Sequence, residues 1–213
     1  MSTLLLRLAA PLQAWGAESK FERRGTGREP TKSGVIGMLA GALGRQRYES
    51  IDDLAVLKFG VRVDKPGQIM KDFHTAMKQG AKNPYVTMRY YIEDAVFLVG
   101  LEGDHKLLCK LEEALLSPIY PLFLGRRSCP PTGRITLGLR EKPLRDALQD
   151  EPILVENHDG SPIVLYMDTD KVGYYRQRDL PISFNPKHRK FAYRYISSEV
   201  LTMTSHDSFE EVN

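Results

Sequence analysis

Residues 31–44, TKSGVIGMLAGALG, read as the first helix of the chain, and the rest of the fold is organised around them. Thr31 or Ser33 can open the helix by accepting a backbone N–H bond. Gly34, Gly37, Gly41 and Gly44 recur at intervals of three, four and three, which places them on one helical face. A helical glycine costs about 1 kcal/mol relative to alanine, so the stripe predicts a face pressed close to a sheet or another backbone. Val35, Ile36, Met38, Leu39 and Leu43 fill the remaining face, so the helix is expected to be buried nearly all round.

Upstream, Thr3–Ala9 reads as a buried strand, and Pro11–Pro30 as a long polar loop of the kind that carries function. Downstream come a short helix at Ile51–Leu57 and a strand at Lys58–Asp64. Two hairpin arms follow at Gln68–Thr75 and Val86–Ile92, joined by the basic turn AMKQGAKNPY. Ala95–Leu101 is an apolar strand. Asp104–Leu116 is an amphipathic helix stopped by Ser117-Pro118. Tyr120–Leu124 and Ile135–Leu139 read as strands flanking GRRSCPPTGR. Further short strands are expected at Ile163–Met167, Phe191–Ile196 and Val200–Thr204. The order predicts an α+β chain with a ferredoxin-like β-α-β-β-α-β core, a topology many RNA-recognition folds share. The domain boundaries expected are 1–141 for the core and 142–213 for a smaller β-rich extension packed on it.

With 42% hydrophobic and 9% aromatic residues, the 213-residue chain has the material for a sizeable core and is not a disordered one. Its formal charge is only +3, but the charge is uneven. Residues 1–47 carry eight Lys/Arg against three Glu, an excess that suits a polyanion or a solvated positive face. Cys109 and Cys129 form no metal-binding or disulfide pattern, which fits a reducing, cytoplasmic setting. The apolar start is interrupted by Arg7 and reads as a strand rather than a signal peptide, and no run is long enough to span a membrane. No cofactor or metal motif is present in the sequence.

Four segments are candidates for chemistry. The loop ERRGTGREPTKS, residues 22–33, brings Arg23, Arg24, Arg28 and Lys32 to a helix start, where unpaired N–H groups can hold a phosphate. The alternative is a plain basic loop. LGRRSCPPTGR presents Arg126, Arg127 and Ser128, suited to bidentate phosphate contacts or to an internal ion-pair network. DFHT contains His74, either a structural hydrogen-bonder or, with nearby Tyr85, Tyr90, Tyr91, Lys78 or Lys82, part of a metal-free ribonuclease site. Tyr174–Arg178 and KHRKFAYR interleave bases with aromatics, which suits a charged strand edge or RNA and partner contact.

RLAAPLQAWG, GREPTKSGVIGMLAGALG, DFHT, RYYIEDAVFLVGL and PLFLGRRSCPPTG, in that order, resemble the CasD-type subunits of Cascade, the type I-E CRISPR surveillance complex for antiviral defence. These belong to the repeat-associated RNA-binding superfamily. The resemblance implies a β-hairpin thumb at about residues 72–93 and a non-catalytic RNA-binding role in a ribonucleoprotein. The expected partners are the five-prime handle of CRISPR RNA, the Cascade backbone subunit and the large subunit, with target DNA contacted only indirectly. It carries over Trp15, Gly16, Arg23, Arg24, Arg28, Thr31, Lys32, Ser33, His74, Thr75, Arg126, Arg127 and Ser128 as RNA-binding residues. Related type I-C subunits cleave precursor RNA, so a metal-independent endoribonuclease using His74 stands as the alternative.

Overall fold

The structure is a computed structural model and describes residues 1–16, 23–77, 83–156, 160–171 and 175–201, with the backbone alone described at Arg23. The basic tip around Lys78 and Lys82, Tyr174, and residues 202–204 of the last expected strand lie outside the described residues.

The first strand, β1 (Ser2–Ala9), explains its own unbroken apolar run. Leu4, Leu6 and Leu8 face one core cluster and Leu5 faces a second, so both sides of the sheet are covered. After two short strands, β2 (Leu12–Gln13) and β3 (Arg23–Arg24), the chain enters α1 (Lys32–Ala42). Then come α2 (Asp52–Ala55), β4 (Lys58–Lys65), a long hairpin of β5 (Gln68–Ala76) and β6 (Tyr85–Glu93), β7 (Val96–Gly103), α3 (His105–Leu116) and β8 (Thr136–Arg140). The run β1-α1-β4-β7-α3-β8, with spatial order β4-β7-β1-β8 and antiparallel pairing throughout, is the ferredoxin-like arrangement expected. The hairpin is inserted between β4 and β7 and forms a separate four-stranded sheet with β2 and β3.

The C-terminal strands β9 (Ile163–Thr169), β10 (Tyr175–Ser183) and β11 (Lys190–Leu201) continue the same main sheet from the β4 edge, giving the order β10-β11-β9-β4-β7-β1-β8. Helix α4 (Leu144–Asp150) covers the face opposite α1 and α3. It sits directly over the paired Gly60 and Gly100, where an added Cβ would come within 2.7 and 2.5 Å of Leu148 and Leu144. The sequence reading did not anticipate α4 or β10, and it split β11 into two strands. Tyr120–Leu124 is no strand either: Leu124 is held in a tight turn, its N–H donating to Cys129 and its carbonyl accepting from Ala14.

The glycine stripe on α1 has a different cause from the one expected. Only Gly34 is in tight contact within the helix, and nothing lies within 4 Å of a Cβ at Gly41. Gly44 lies beyond the helix at φ +76°, and its N–H donates to Gly41 while that of Arg45 donates to Ala40, a Schellman ending that favours glycine. The helix has no exposed residue, as expected.

On the α4 side, Arg62 and Asp64 of β4 form a buried pair. Arg62 Nε is 2.7 Å from Asp64 Oδ1, Arg62 also donates to the Leu148, Glu151 and Pro152 carbonyls, and Asp64 accepts from Leu154 N–H. The pair pins the chain after α4 to the core edge. Asp64→Ala strands a buried guanidinium and is expected to lower unfolding free energy by about 3–5 kcal/mol in urea titration.

Candidate nucleic-acid interface

The surface starts from a tryptophan. Trp15 is 1% exposed, and its indole N–H donates to Gln13 Oε1 at 3.0 Å. Gln13 is itself buried and spends its amide on the Leu8 and Ala95 carbonyls. The Trp15 backbone N–H donates to Thr26 Oγ1, and its carbonyl accepts from Gly27. A Cβ on Gly34 would sit 2.9 Å from the indole ring. Trp15 is therefore a core hub that seats the basic loop on α1, and it is not exposed for stacking on a base; Gly16 beside it is exposed.

The loop then pairs β3 in parallel with β6, Arg23 opposite Met88 and Arg24 opposite Arg89. The turn LGRRSC locks the two together. Gly125 takes φ +86° and lies so close to Ala14 that a Cβ would fall 1.8 Å from the Ala14 carbonyl oxygen. Arg126 donates to the Tyr90, Arg24 and Gly25 carbonyls and stacks at 4.7 Å over Tyr91. Three of its hydrogen bonds thus hold the loop, a structural role beside the phosphate contact expected of it. Arg127 and Ser128 remain exposed, as do Arg24 and Arg28.

The helix start differs from the expectation in the same way. Lys32 is buried, its Nζ 2.9 Å from Asp168 Oδ2, and its backbone N–H donates to Asp179. Thr31 accepts from Gly34 N–H as the cap, and Ser33 is half-buried next to it. Arg194 completes the group with bonds to both Asp179 and Asp168. At this end of α1 the Asp179 carboxylate accepts the Lys32 N–H, and Asp168 pairs with the Lys32 ammonium. The sequence could not show this, because Asp168 and Asp179 lie more than 130 residues away from Lys32. Glu29 borders the cluster; burial pushes its carboxyl above the ordinary range, Arg194 and Arg28 pull it down by less, and Asp179 adds to the rise.

Arg24 and Arg89 lie side by side on β3 and β6. Burial alone raises the Tyr91 phenol, but hydrogen bonds from Ser128, Arg126 and Arg89 and the Arg126 charge outweigh it, so the phenol lies below the usual tyrosine range. Arg89 Nε is buried without a partner among the described residues. Such a surplus of cationic donors is what an anion would satisfy. Tyr91 entered the sequence analysis only as a neighbour of His74, and Arg89 not at all; their alternation in RYYIED was the available signal. On the neighbouring strand, His74 Nε2 is 2.7 Å from Asp72 Oδ2, and Asp72 faces Arg89 across the ladder. His74 and Thr75 are both exposed. No cluster of metal-ligating side chains occurs among the described residues, and no helix among them is long and apolar enough to cross a membrane.

Two consequences can be measured. Gly125→Ala is expected to release the LGRRSC turn from Ala14, seen as new protease sensitivity around residues 124–129 and a lower thermal midpoint. Glu29 carries a raised folded-state pKa, so its stabilising contribution is complete below the ordinary glutamate value of about 4.3 and is lost as pH rises through the raised value. Glu29→Gln should therefore raise the thermal midpoint at pH 7, with the gain shrinking as pH falls toward about 4.

The family model described as "CRISPR-associated protein (Cas_Cas5)" matches residues 3–197. The chain is 36% identical over 177 residues to the CRISPR system Cascade subunit CasD of Escherichia coli (strain K12), covering 71% of this chain and 78% of that protein. Two solved structures are similar along nearly the whole length. A chain described as "Crystal structure of Cas protein" is 41% identical with a TM-score of 0.77, covering 93% of this chain and 94% of that one. A chain from a "CRISPR RNA-guided surveillance complex" is 33% identical with a TM-score of 0.80, covering 93% of this chain and 89% of that one.

Proposed function

Because the chain belongs to the CRISPR-associated Cas5 family, we propose that it is a non-catalytic, cytoplasmic RNA-binding subunit of a Cascade-type complex, holding the five-prime handle of CRISPR RNA. The observation that carries this reading is the meeting of three chain segments around Tyr91. The glycine-rich loop brings Arg24 opposite Arg89 of β6, and Arg89 and Ser128 of the LGRRSC turn both bond the Tyr91 phenol; Arg28 and Arg127 are exposed on the same loop and turn. Arg126 fixes their spacing from within. A rigid array of guanidinium groups neutralises backbone phosphates at several points and positions the strand. Gly16, His74 and Thr75 are exposed; His74, on the Arg89 side of the hairpin, and Gly16, beside Trp15, serve as flanking contacts to the RNA, and Thr75, on the opposite face with Val86, reaches it at the hairpin's edge.

The partner surfaces follow from exposed apolar groups. Ile69, Phe73, Val86 and Met88 share the outward face of the β5–β6 ladder, since Phe73 pairs with Met88 and Thr75 with Val86. That face suits the backbone subunit. Leu116 at the end of α3 and Ile119 and Phe123 after it suit the large subunit, through which target DNA is reached indirectly. Apolar patches of this kind are reserved for association.

One observation favours a second reading, a metal-independent endoribonuclease acting on CRISPR precursor RNA: the His74–Asp72 pair, with Arg89 across the strand, resembles an oriented acid–base group beside a cation. A single experiment separates the two. Labelled repeat RNA incubated with the full chain in EDTA should stay intact on a denaturing gel and shift on a native one. A discrete product that disappears in His74→Ala would overturn the scaffold reading. The double variant Arg24→Ala, Arg127→Ala should weaken binding and flatten the log–log salt slope by about 0.7 for each phosphate contact removed.

A further inference from the structure

The main sheet is wider than the helices that cover it. Beside the entry of the basic loop into α1, the face of β4, β9, β11 and β10 is left open over a cavity of about 280 Å³. Val61, Tyr166, Tyr175, Gln177 and Ile196 of these strands line it together with Glu29 of the loop. The volume falls just below the roughly 300–1,000 Å³ range of small-molecule sites, which suits one heterocycle rather than a whole nucleotide.

Its chemistry selects among ligands. Gln177 is 8% exposed, and its Oε1 is buried with no hydrogen-bond partner among the described residues. Buried acceptors are ordinarily satisfied, so this one lacks a donor. Arg194 reaches the cavity, but its guanidinium is bonded to Asp179 and Asp168. Glu29 adds a carboxyl rather than a cation. The cavity therefore does not attract phosphate. It offers two phenol rings, aliphatic side chains and an unmet acceptor. Tyr175, 66% exposed, stands at the mouth. Glu29 follows directly on exposed Arg28, so a strand whose phosphate rests on Arg28 passes the cavity entrance.

We propose that this cavity receives one splayed nucleobase bearing an exocyclic amine, stacked on a tyrosine ring with the amine donating to Gln177 Oε1. The inference rests on the RNA-binding reading above and adds to it a base-selective subsite. Single-stranded RNA is recognised in this manner, with unstacked bases placed on aromatic rings and read at their edges. Uracil has no exocyclic amine and leaves the acceptor unmet.

The test is a scan of labelled handle RNA bound to the full chain. Each nucleotide in turn is made abasic, and each amino-bearing base is replaced in turn by uracil. One position is expected to lose roughly five-fold or more in affinity when abasic. In Tyr175→Ala that position becomes insensitive. In Gln177→Leu the abasic penalty persists, while the preference for the amino-bearing base over uracil is lost. Both variants should keep the thermal midpoint of the parent, since Tyr175 is exposed and Gln177→Leu removes an unpartnered acceptor. If RNA binds but no position is sensitive, or the sensitive position responds equally in both variants, the subsite is wrong and the RNA-binding reading stands. If unmodified RNA does not bind at all, that reading fails and the subsite fails with it.

Discussion

Trp15 is held on every side by contacts that admit almost no adjustment. Its ring lies against the backbone of Gly34, its indole N–H is bonded to buried Gln13, and its main chain is bonded to Thr26 and Gly27. One residue earlier, Ala14 lies against Gly125 too closely for any Cβ. Interiors packed to this density transmit constraint rather than absorb it. The basic loop, the start of α1 and the LGRRSC turn are consequently one rigid unit, although they lie apart in the sequence. This is the physical reason the LQAWG and LGRRSCP segments are informative together: each is shaped to the backbone of the other.

From that unit the division of labour among the basic residues follows. Arg126 is half-buried beneath the loop and Lys32 is buried. One ties three carbonyls across two segments, and the other neutralises Asp168 beneath the helix start. Their structural work leaves Arg24, Arg28, Arg89 and Arg127 as the cations directed outward or short of partners. A half-buried arginine bonded to three carbonyls, Arg126, and an exposed one, Arg127, differ in function, although they stand side by side in the chain. The lowered Tyr91 phenol records the same imbalance, since positive donors outnumber the anions around it.

The elements read correctly from the sequence are those whose signal is local. β1, α1, the hairpin arms, β7 and α3 each carry their own periodicity, caps or stops, and their order led to the ferredoxin-like arrangement that the pairing bears out. The elements that were missed lack such a signal. α4 has only seven residues and no side-chain cap, and it exists because Leu144 and Leu148 rest on the Gly60–Gly100 pair. β10 carries Arg, Gln and Asp and reads as polar, yet Gln177 and Asp179 are buried, Asp179 against the helix start.

For the site, the amino-acid sequence by itself determined the residue inventory: a glycine-rich basic loop before a helix, a rigid Gly-Arg-Arg turn, and a hairpin with aromatic and basic members. These are short-range facts, set by residue type and spacing. Only the tertiary structure decided which cations face solvent, because that depends on carboxylates and carbonyls brought in from distant strands. Asp168 and Asp179 claim the end of α1, and the Tyr90 carbonyl claims Arg126. A charge is neutralised by what lies within a few ångströms of it, and chain folding, not chain order, sets that distance.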